Sequence, residues 1–281
     1  MSNRSYSKPI DFSNSTVVLT GGAGGIGYQL ARCFARSGAN LILVDRREQE
    51  LIKAVEEITK DFKNTKVYSR IVELEKSEER QKLFDWIKEN HQATNILVNN
   101  AGIQQRFPFI EKSESKTSWI EREKEIQVNL CAPIHLCNLF IDHFLSMVGV
   151  TSAIINVTSD LAFVPMALLP VYSATKAAMH SFTMGLRLQL SSDTSSIHMY
   201  EIIPPPVQTN LGGHHPFGVL PDEFCQAVFE QLKRGKQEIA YQQSEKFRQL
   251  VSRDQVDEES VTLYTRAKTL NFLKSNFHIE V

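Results

Sequence analysis

Val17-Val18-Leu19-Thr20-Gly21-Gly22-Ala23-Gly24-Gly25-Ile26-Gly27 runs from β-branched and apolar residues directly into five glycines within seven positions. Ile26, Leu30, Cys33 and Phe34 then recur at helical spacing. The pattern predicts a buried strand, a tight turn and a helix N-terminus. The first turn of a helix leaves N–H groups unpaired and carries partial positive charge. Glycines there let a pyrophosphate approach without meeting Cβ atoms. Two registers fit: Gly22, Gly24 and Gly27 spell G-x-G-x-x-G, and Gly21, Gly25 and Gly27 spell G-x-x-x-G-x-G. The stretch alone does not choose between them, and a glycine-rich turn also serves as a plain tight connection.

Beyond this helix, Leu41-Ile42-Leu43-Val44 is a fully apolar second strand ending at Asp45. An acidic residue about twenty positions past the glycines can accept hydrogen bonds from both hydroxyls of an adenosine ribose. It would also repel a 2′-phosphate, which favours NAD(H). Arg46 and Arg47 act the other way, since an arginine just past the strand can pair with that phosphate, and so NADP(H) stays open. A surface turn or helix cap is the plainer role for Asp45.

The alternation continues. Helical periodicity covers 48–59 and 77–89, with strands predicted at 67–72 and 96–98, the latter closed by Asn99-Asn100-Ala101-Gly102. The polar segment 104–117 reads as a loop. A long helix is expected over 119–147, bent or interrupted by Pro133. Strands at 153–157, 197–203 and 238–241 alternate with helices at 172–190 and 222–233. Continuous apolar strands between helices indicate an α/β doubly wound parallel sheet of about seven strands with helices on both faces. No repeat or Pro/Gly/Ser linker marks a boundary, so 1–281 reads as a single dinucleotide-binding domain. Its core spans about 14–240, and a helical C-terminal extension fills about 241–281.

Composition narrows the function. The 281 residues are 42% hydrophobic, ample for a large core, and the formal net charge of −1 gives no reason to expect nucleic acid as a partner. The polar start shows no signal peptide, and no uninterrupted apolar run is long enough to span a bilayer. Cys33, Cys131, Cys137 and Cys225 form no C-x-x-C pair and sit among apolar neighbours, as buried free thiols do. These features predict a soluble, cytoplasmic protein without a metal site and without a membrane partner.

Thr20-Gly21, Gly25-Ile26-Gly27, Asn99-Asn100-Ala101-Gly102, Asn129, Ser159 and Tyr172-Ser173-Ala174-Thr175-Lys176 resemble the classical short-chain dehydrogenase/reductase family in order and spacing, over about 14–240. The resemblance selects the register Gly21, Gly25, Gly27 and implies a Rossmann-like fold. Tyr-x-x-x-Lys alone is weak, because Tyr264 and Lys268 repeat it. Only the first pair has a serine thirteen residues upstream at a strand end; Val251 holds that place for Tyr264, which reads as a surface residue.

The resemblance implies a hydride-transferring NAD(P)-dependent oxidoreductase that interconverts an alcohol and a ketone or aldehyde. Tyr172 is its general acid/base, and Lys176 lowers the phenol pKa and holds the nicotinamide ribose. Ser159 binds the substrate oxygen, and Asn129 holds through its backbone a water linking Lys176 to solvent. Gly21, Gly25, Ile26, Gly27, Asp45, Arg46, Asn100, Ala101, Gly102, Val207 and Thr209, with Tyr172 and Lys176, are the expected cofactor contacts. A homodimer or homotetramer, paired through the helices that begin at Trp119 and Tyr172, is implied as well.

Pro205 departs from the family's usual glycine and stiffens the loop after the sixth strand. Glu73 replaces a frequent aspartate, and Gly24 stands where NADP-preferring members often carry Lys or Arg. Between Ser159 and Tyr172, Leu161 to Leu169 is largely apolar, which suggests a hydrophobic substrate. His214 and His215 are candidates for substrate contact or lid gating. A cofactor-binding regulator without turnover, disfavoured by intact Ser159, Tyr172 and Lys176, and an assembly protein, which would bind no dinucleotide, are the competing readings.

Overall fold

The computed structural model describes residues 9–106, 109, 119–190, 196–213 and 217–252. His214, His215, Tyr264, Lys268, most of the loop expected over 104–117 and the extension beyond 252 lie outside them. Seven strands form one sheet: β1 (Thr16–Thr20), β2 (Asn40–Asp45), β3 (Val67–Ile71), β4 (Thr94–Asn99), β5 (Ser152–Val157), β6 (Ile197–Ile203) and β7 (Glu238–Ala240). Their order is β3-β2-β1-β4-β5-β6-β7, and every pairing is parallel.

Alternation within the strands builds two cores. Val17, Leu19, Leu41 and Leu43 face one side. There they meet α1 (Gly25–Arg36), α2 (Glu48–Asp61) and α7 (Pro221–Lys233). Val18, Ile42 and Val44 face the other. There they meet α3 (Ser77–Asn90), α5 (Ala132–Ser146) and α6 (Pro170–Leu190). Side chains of successive strand residues point to opposite faces, so a strand apolar throughout must be covered twice. Each fully buried Val, Leu, Ile or Phe stabilises the fold by roughly 1.5–3 kcal/mol.

The long helix divides into α4 (Trp119–Ile126), a π-helical turn (Gln127–Cys131) and α5. Pro133 is expected to bend or interrupt it, and the π turn lies just before the proline, which has no N–H for the carbonyl of Asn129 four residues earlier. By length and composition the segment Trp119–Ser146 is apolar enough to cross a membrane, with an 18-residue window of mean hydropathy 1.2. Continuous in fold though broken in apolar run, it escaped the sequence criterion. Leu136, Cys137, Phe140 and Phe144 spend that apolarity on the sheet, each at most 1% exposed. Cys33, Cys137 and Cys225 are buried free thiols as expected, whereas Cys131, on the π turn, is only half-buried.

Candidate active site

In an open parallel sheet, ligands bind past the carboxyl ends of the strands, at the point where chain order reverses. Here β1 has β2 on one side and β4 on the other. A cleft of about 870 Å³ opens there, lined from Gly21 and Asp45 at one end to Ser159 and Tyr172 at the other.

The glycine turn forms its floor. Gly21 and Gly25 have φ of +69° and +55°, the left-handed region that favours glycine. A Cβ on Gly27 would fall 2.1 Å from the Gly21 carbonyl oxygen, so this helix position must be bare for turn and helix to pack. Gly24, the N-cap of α1, has no side chain to offer the first N–H groups, and no acid occupies the first turn. By contrast α2 opens with Glu48 and Glu50, and α7 with Asp222 and Glu223. The start of α1 is thus built to receive an anion from outside the helix.

Asp45 is placed at the end of β2 and is 6% exposed. Its carboxylate is engaged: Oδ2 accepts the Ala23 N–H, and Arg47 donates to both oxygens from Nε, Nη2 and its backbone. Sequence reasoning placed Arg47 as a rival for phosphate but not as the partner of Asp45. Arg46 and Arg47 both line the cleft.

Asn100 fastens the glycine turn to β4, donating from Nδ2 to the Thr20 and Gly21 carbonyls. Thr20 Oγ1 accepts the N–H groups of Asn100 and Ala101. Asn99 reaches Asn156 on β5, which in turn donates to Thr183 on α6. This motif therefore ties β1, β4, β5 and α6 together. A Cβ on Gly102 would lie 3.4 Å from Asn129 Oδ1 and 3.8 Å from Lys176 Nζ, so the bare glycine brings both side chains against one backbone.

Tyr172 and Lys176, one turn apart on α6, are 4% and 5% exposed, with the ammonium 5.6 Å from the phenol ring centroid. Lys176 Nζ donates to the Val157 carbonyl at the end of β5. Burial pushes the Lys176 pKa down to about 8, although Glu125 and Glu201 favour its charged form. The Tyr172 phenol was expected below its ordinary value. Burial instead pushes it up, opposed by the neighbouring Ser159 hydroxyl and reinforced by the charges of Asp160 and Glu125. Desolvation of phenolate dominates here, and the ammonium donates to the Val157 carbonyl.

Ser159 Oγ donates to Asp160 Oδ1 at 3.2 Å and accepts the Leu161 N–H at 3.1 Å. Asp160 is itself 2% exposed and accepts from Gln243 Nε2 through Oδ2. It went unnoticed in the sequence, although its place beside Ser159 was a signal. Asn129 lies on the π turn, where its side chain clamps Ile103 by accepting the N–H and donating to the carbonyl, each at 2.8 Å. Pro133, four residues on, has no N–H to give to the Asn129 backbone carbonyl. Val207, Thr209 and Ile26 also line the cleft, and Thr209 abuts Gly25.

The profile of the short chain dehydrogenase family matches residues 15–215. The chain belongs to this family. As a short-chain dehydrogenase it is an oxidoreductase. It is 35% identical over 249 residues to the uncharacterized oxidoreductase DltE of Bacillus subtilis (strain 168), covering 86% of this chain and 94% of that protein. Among solved structures it resembles a short-chain dehydrogenase from Sphingobium yanoikuyae in complex with NADPH, with a TM-score of 0.71 and 24% identity over 94% of this chain and 96% of that one. A family member from Burkholderia phymatum in complex with NAD gives a TM-score of 0.72 at 17% identity, over 97% and 99% of the two chains. At such identities these likenesses concern the fold.

Proposed function

We propose that this short-chain dehydrogenase interconverts an alcohol and a ketone or aldehyde, with Tyr172 giving or taking the proton at the substrate oxygen. One observation carries the reading: Ser159, Tyr172 and Lys176 meet at one end of a cleft whose other end is an uncapped, glycine-lined helix start. The cleft volume falls within the roughly 300–1,000 Å³ of small-molecule sites. A bare α1 N-terminus suits a pyrophosphate, and Asp45 lies where an adenosine ribose would end. These residues fit a nicotinamide dinucleotide, which when bound supplies or accepts the hydride.

The chain's own groups do the rest. Tyr172 moves the proton, Ser159 hydrogen-bonds the substrate oxygen, and Lys176 holds the nicotinamide ribose and favours phenolate. Asn129 orders the Ile103 backbone and offers a carbonyl for the water behind Lys176. The buried Asp45 carboxylate favours NAD(H), once Arg47 turns away from it. NADP(H) remains the second reading, because Arg46 and Arg47 stand where a 2′-phosphate would lie. Leu161, Met166, Leu168, Leu169, Leu211 and Phe217 line the substrate end and favour a hydrophobic substrate.

A dimer or tetramer paired through α4, α5 and α6 agrees with exposed Trp119 and Ile120 on α4, Leu145 on α5 and Met184 on α6. Light scattering tests that point. The function is tested by fluorescence titration with NADH and NADPH, followed by an alcohol and carbonyl panel with the tighter cofactor. Failure to bind either dinucleotide overturns the proposal.

A further inference from the structure

Ser159 caps the 3₁₀ turn Asp160–Ala162, and its hydroxyl is already engaged on two sides. Oγ accepts the Leu161 N–H at 3.1 Å and donates its one proton to Asp160 Oδ1 at 3.2 Å. What remains for the cleft is a lone pair. A carbonyl oxygen or an alkoxide only accepts, so it must win that proton from a carboxylate before Ser159 can hold it. Hydrogen bonds to an ionised acceptor are the stronger kind, and the contest therefore bears on the rate.

Asp160 is 2% exposed, lines the same cleft, and is held from far along the chain. Gln243, the first residue of α8 (Gln243–Ser252), donates from Nε2 to Asp160 Oδ2 at 3.1 Å. The backbone bends to bring it there. Gln242 has φ of +50°, alone among the described non-glycine residues in the left-handed region. A strained residue persists where its surroundings over-determine it, and such places cluster at clamps and switches. Ser244 supplies the constraint. It is fully buried, and its Oγ accepts the Tyr241 N–H at 2.8 Å and donates to the Ile203 carbonyl at 2.7 Å. The Asp160 N–H in turn donates to the Pro204 carbonyl at 2.9 Å. Thus α8 and the Ser159 turn hang on adjacent residues at the end of β6, and Gln243 bridges between them.

We propose that Asp160 and Gln243 are positioning residues that act through Ser159. Asp160 holds the hydroxyl proton off the cleft until a substrate oxygen competes for it. Gln243, by occupying the other carboxylate oxygen, sets how firmly. No covalent bond is made or broken; the Ser159 O–H turns about its C–O bond from Asp160 to the substrate. The inference rests on the role proposed for Ser159, and it lets α8 govern the substrate end without touching the reacting carbon.

The test is steady-state kcat/KM of full-length variants with the carbonyl that turns over best in the panel. Gln243→Ala strips a donor from the carboxylate, tightens its hold on Ser159 and should lower kcat/KM by about tenfold, with NADH affinity unchanged. Asp160→Asn weakens the acceptor, should raise kcat/KM several-fold, and should cancel the effect of Gln243→Ala. A carboxylate needed only for folding would send both variants downward. The Asp160 charge also opposes phenolate at Tyr172, so Ser159→Ala is the control background, in which neither change should alter the residual rate. A loss in Asp160→Asn, or effects that persist in Ser159→Ala, would overturn the proposal. Thermal melts read the contact without any substrate. The Ser159→Ala/Asp160→Asn double variant should melt about 2 °C higher than the summed single losses predict, and additive losses would overturn the proposal as well. A chain that turns over nothing in the panel would defeat the function proposed above and leave the melting cycle readable, so the two failures are distinguishable.

Discussion

Arg47 grips Asp45 with both ends of its guanidinium, Nε to Oδ1 at 3.1 Å and Nη2 to Oδ2 at 3.0 Å. The arginine side chain is 42% exposed and the carboxylate 5%, so the arginine is the partner free to swing. The pair controls what the end of β2 offers a ribose. With Arg47 in place, the carboxylate is neutralised and occupied.

Arg47→Ala should therefore free Asp45 and raise the preference for NADH over NADPH by about tenfold, or ~1.4 kcal/mol. Asp45→Ala should move the ratio the other way. Fluorescence titration with both cofactors measures it, and an unchanged ratio in both variants would remove Asp45 from the ribose.

Gly27→Ala puts a Cβ 2.1 Å from the Gly21 carbonyl oxygen, a clash with backbone that no rotamer relieves. The expected cost is about 3 kcal/mol, seen as a melting temperature lower by roughly 5–10 °C. Dinucleotide affinity should fall with it, because the turn that moves is the one that would hold the phosphates.

His180, two turns along α6 from Tyr172, donates from Nδ1 to the carboxylate oxygens of the buried Glu201, to which Thr158 also donates. Burial lowers the imidazole pKa, but its bond to Glu201 and the charges of Glu201 and Glu238 outweigh this, and the net shift is upward. A histidine raised above its unfolded value of about 6.5 stabilises the fold fully below that pH and less as pH climbs through the folded value. Wild type should thus lose more stability than His180→Gln between about pH 6 and 8, as denaturant melts at each pH will show. Parallel curves would mean that the ring is neutral throughout.

Ser159→Ala removes the hydroxyl proposed to meet the substrate oxygen and should lower kcat by about 10²–10³-fold. Cofactor binding should hardly change, since the serine lies at the substrate end. A comparable loss of NADH affinity would mean that the serine holds the cleft together instead.

The sheet was legible because its central strands, as at β1, β2 and β5, are buried, largely apolar runs that end abruptly between stretches of helical periodicity. Strand ends differed by one or two residues, as at β4, which extends from Thr94 to Asn99 around the expected 96–98. Three features were not legible. Pro133 signalled the interruption of the long helix, but not that it takes the form of a π turn whose Asn129 side chain clamps the Ile103 backbone. Asp45 and Arg47 are two residues apart, but their pairing depends on how the chain turns after β2. Glu125 and Asp160 are ordinary acids by composition, and only burial beside Lys176 and Ser159 distinguishes them.

The central claim concerns Tyr172, whose hydroxyl is the only atom removed by Tyr172→Phe. Steady-state turnover of the best alcohol or carbonyl from the panel should fall by about 10³-fold or more, with NADH affinity nearly unchanged. Tyr264→Phe, the same change in the second Tyr-x-x-x-Lys, should leave turnover as it was. Tyr172→Phe enzyme with wild-type turnover would contradict the account.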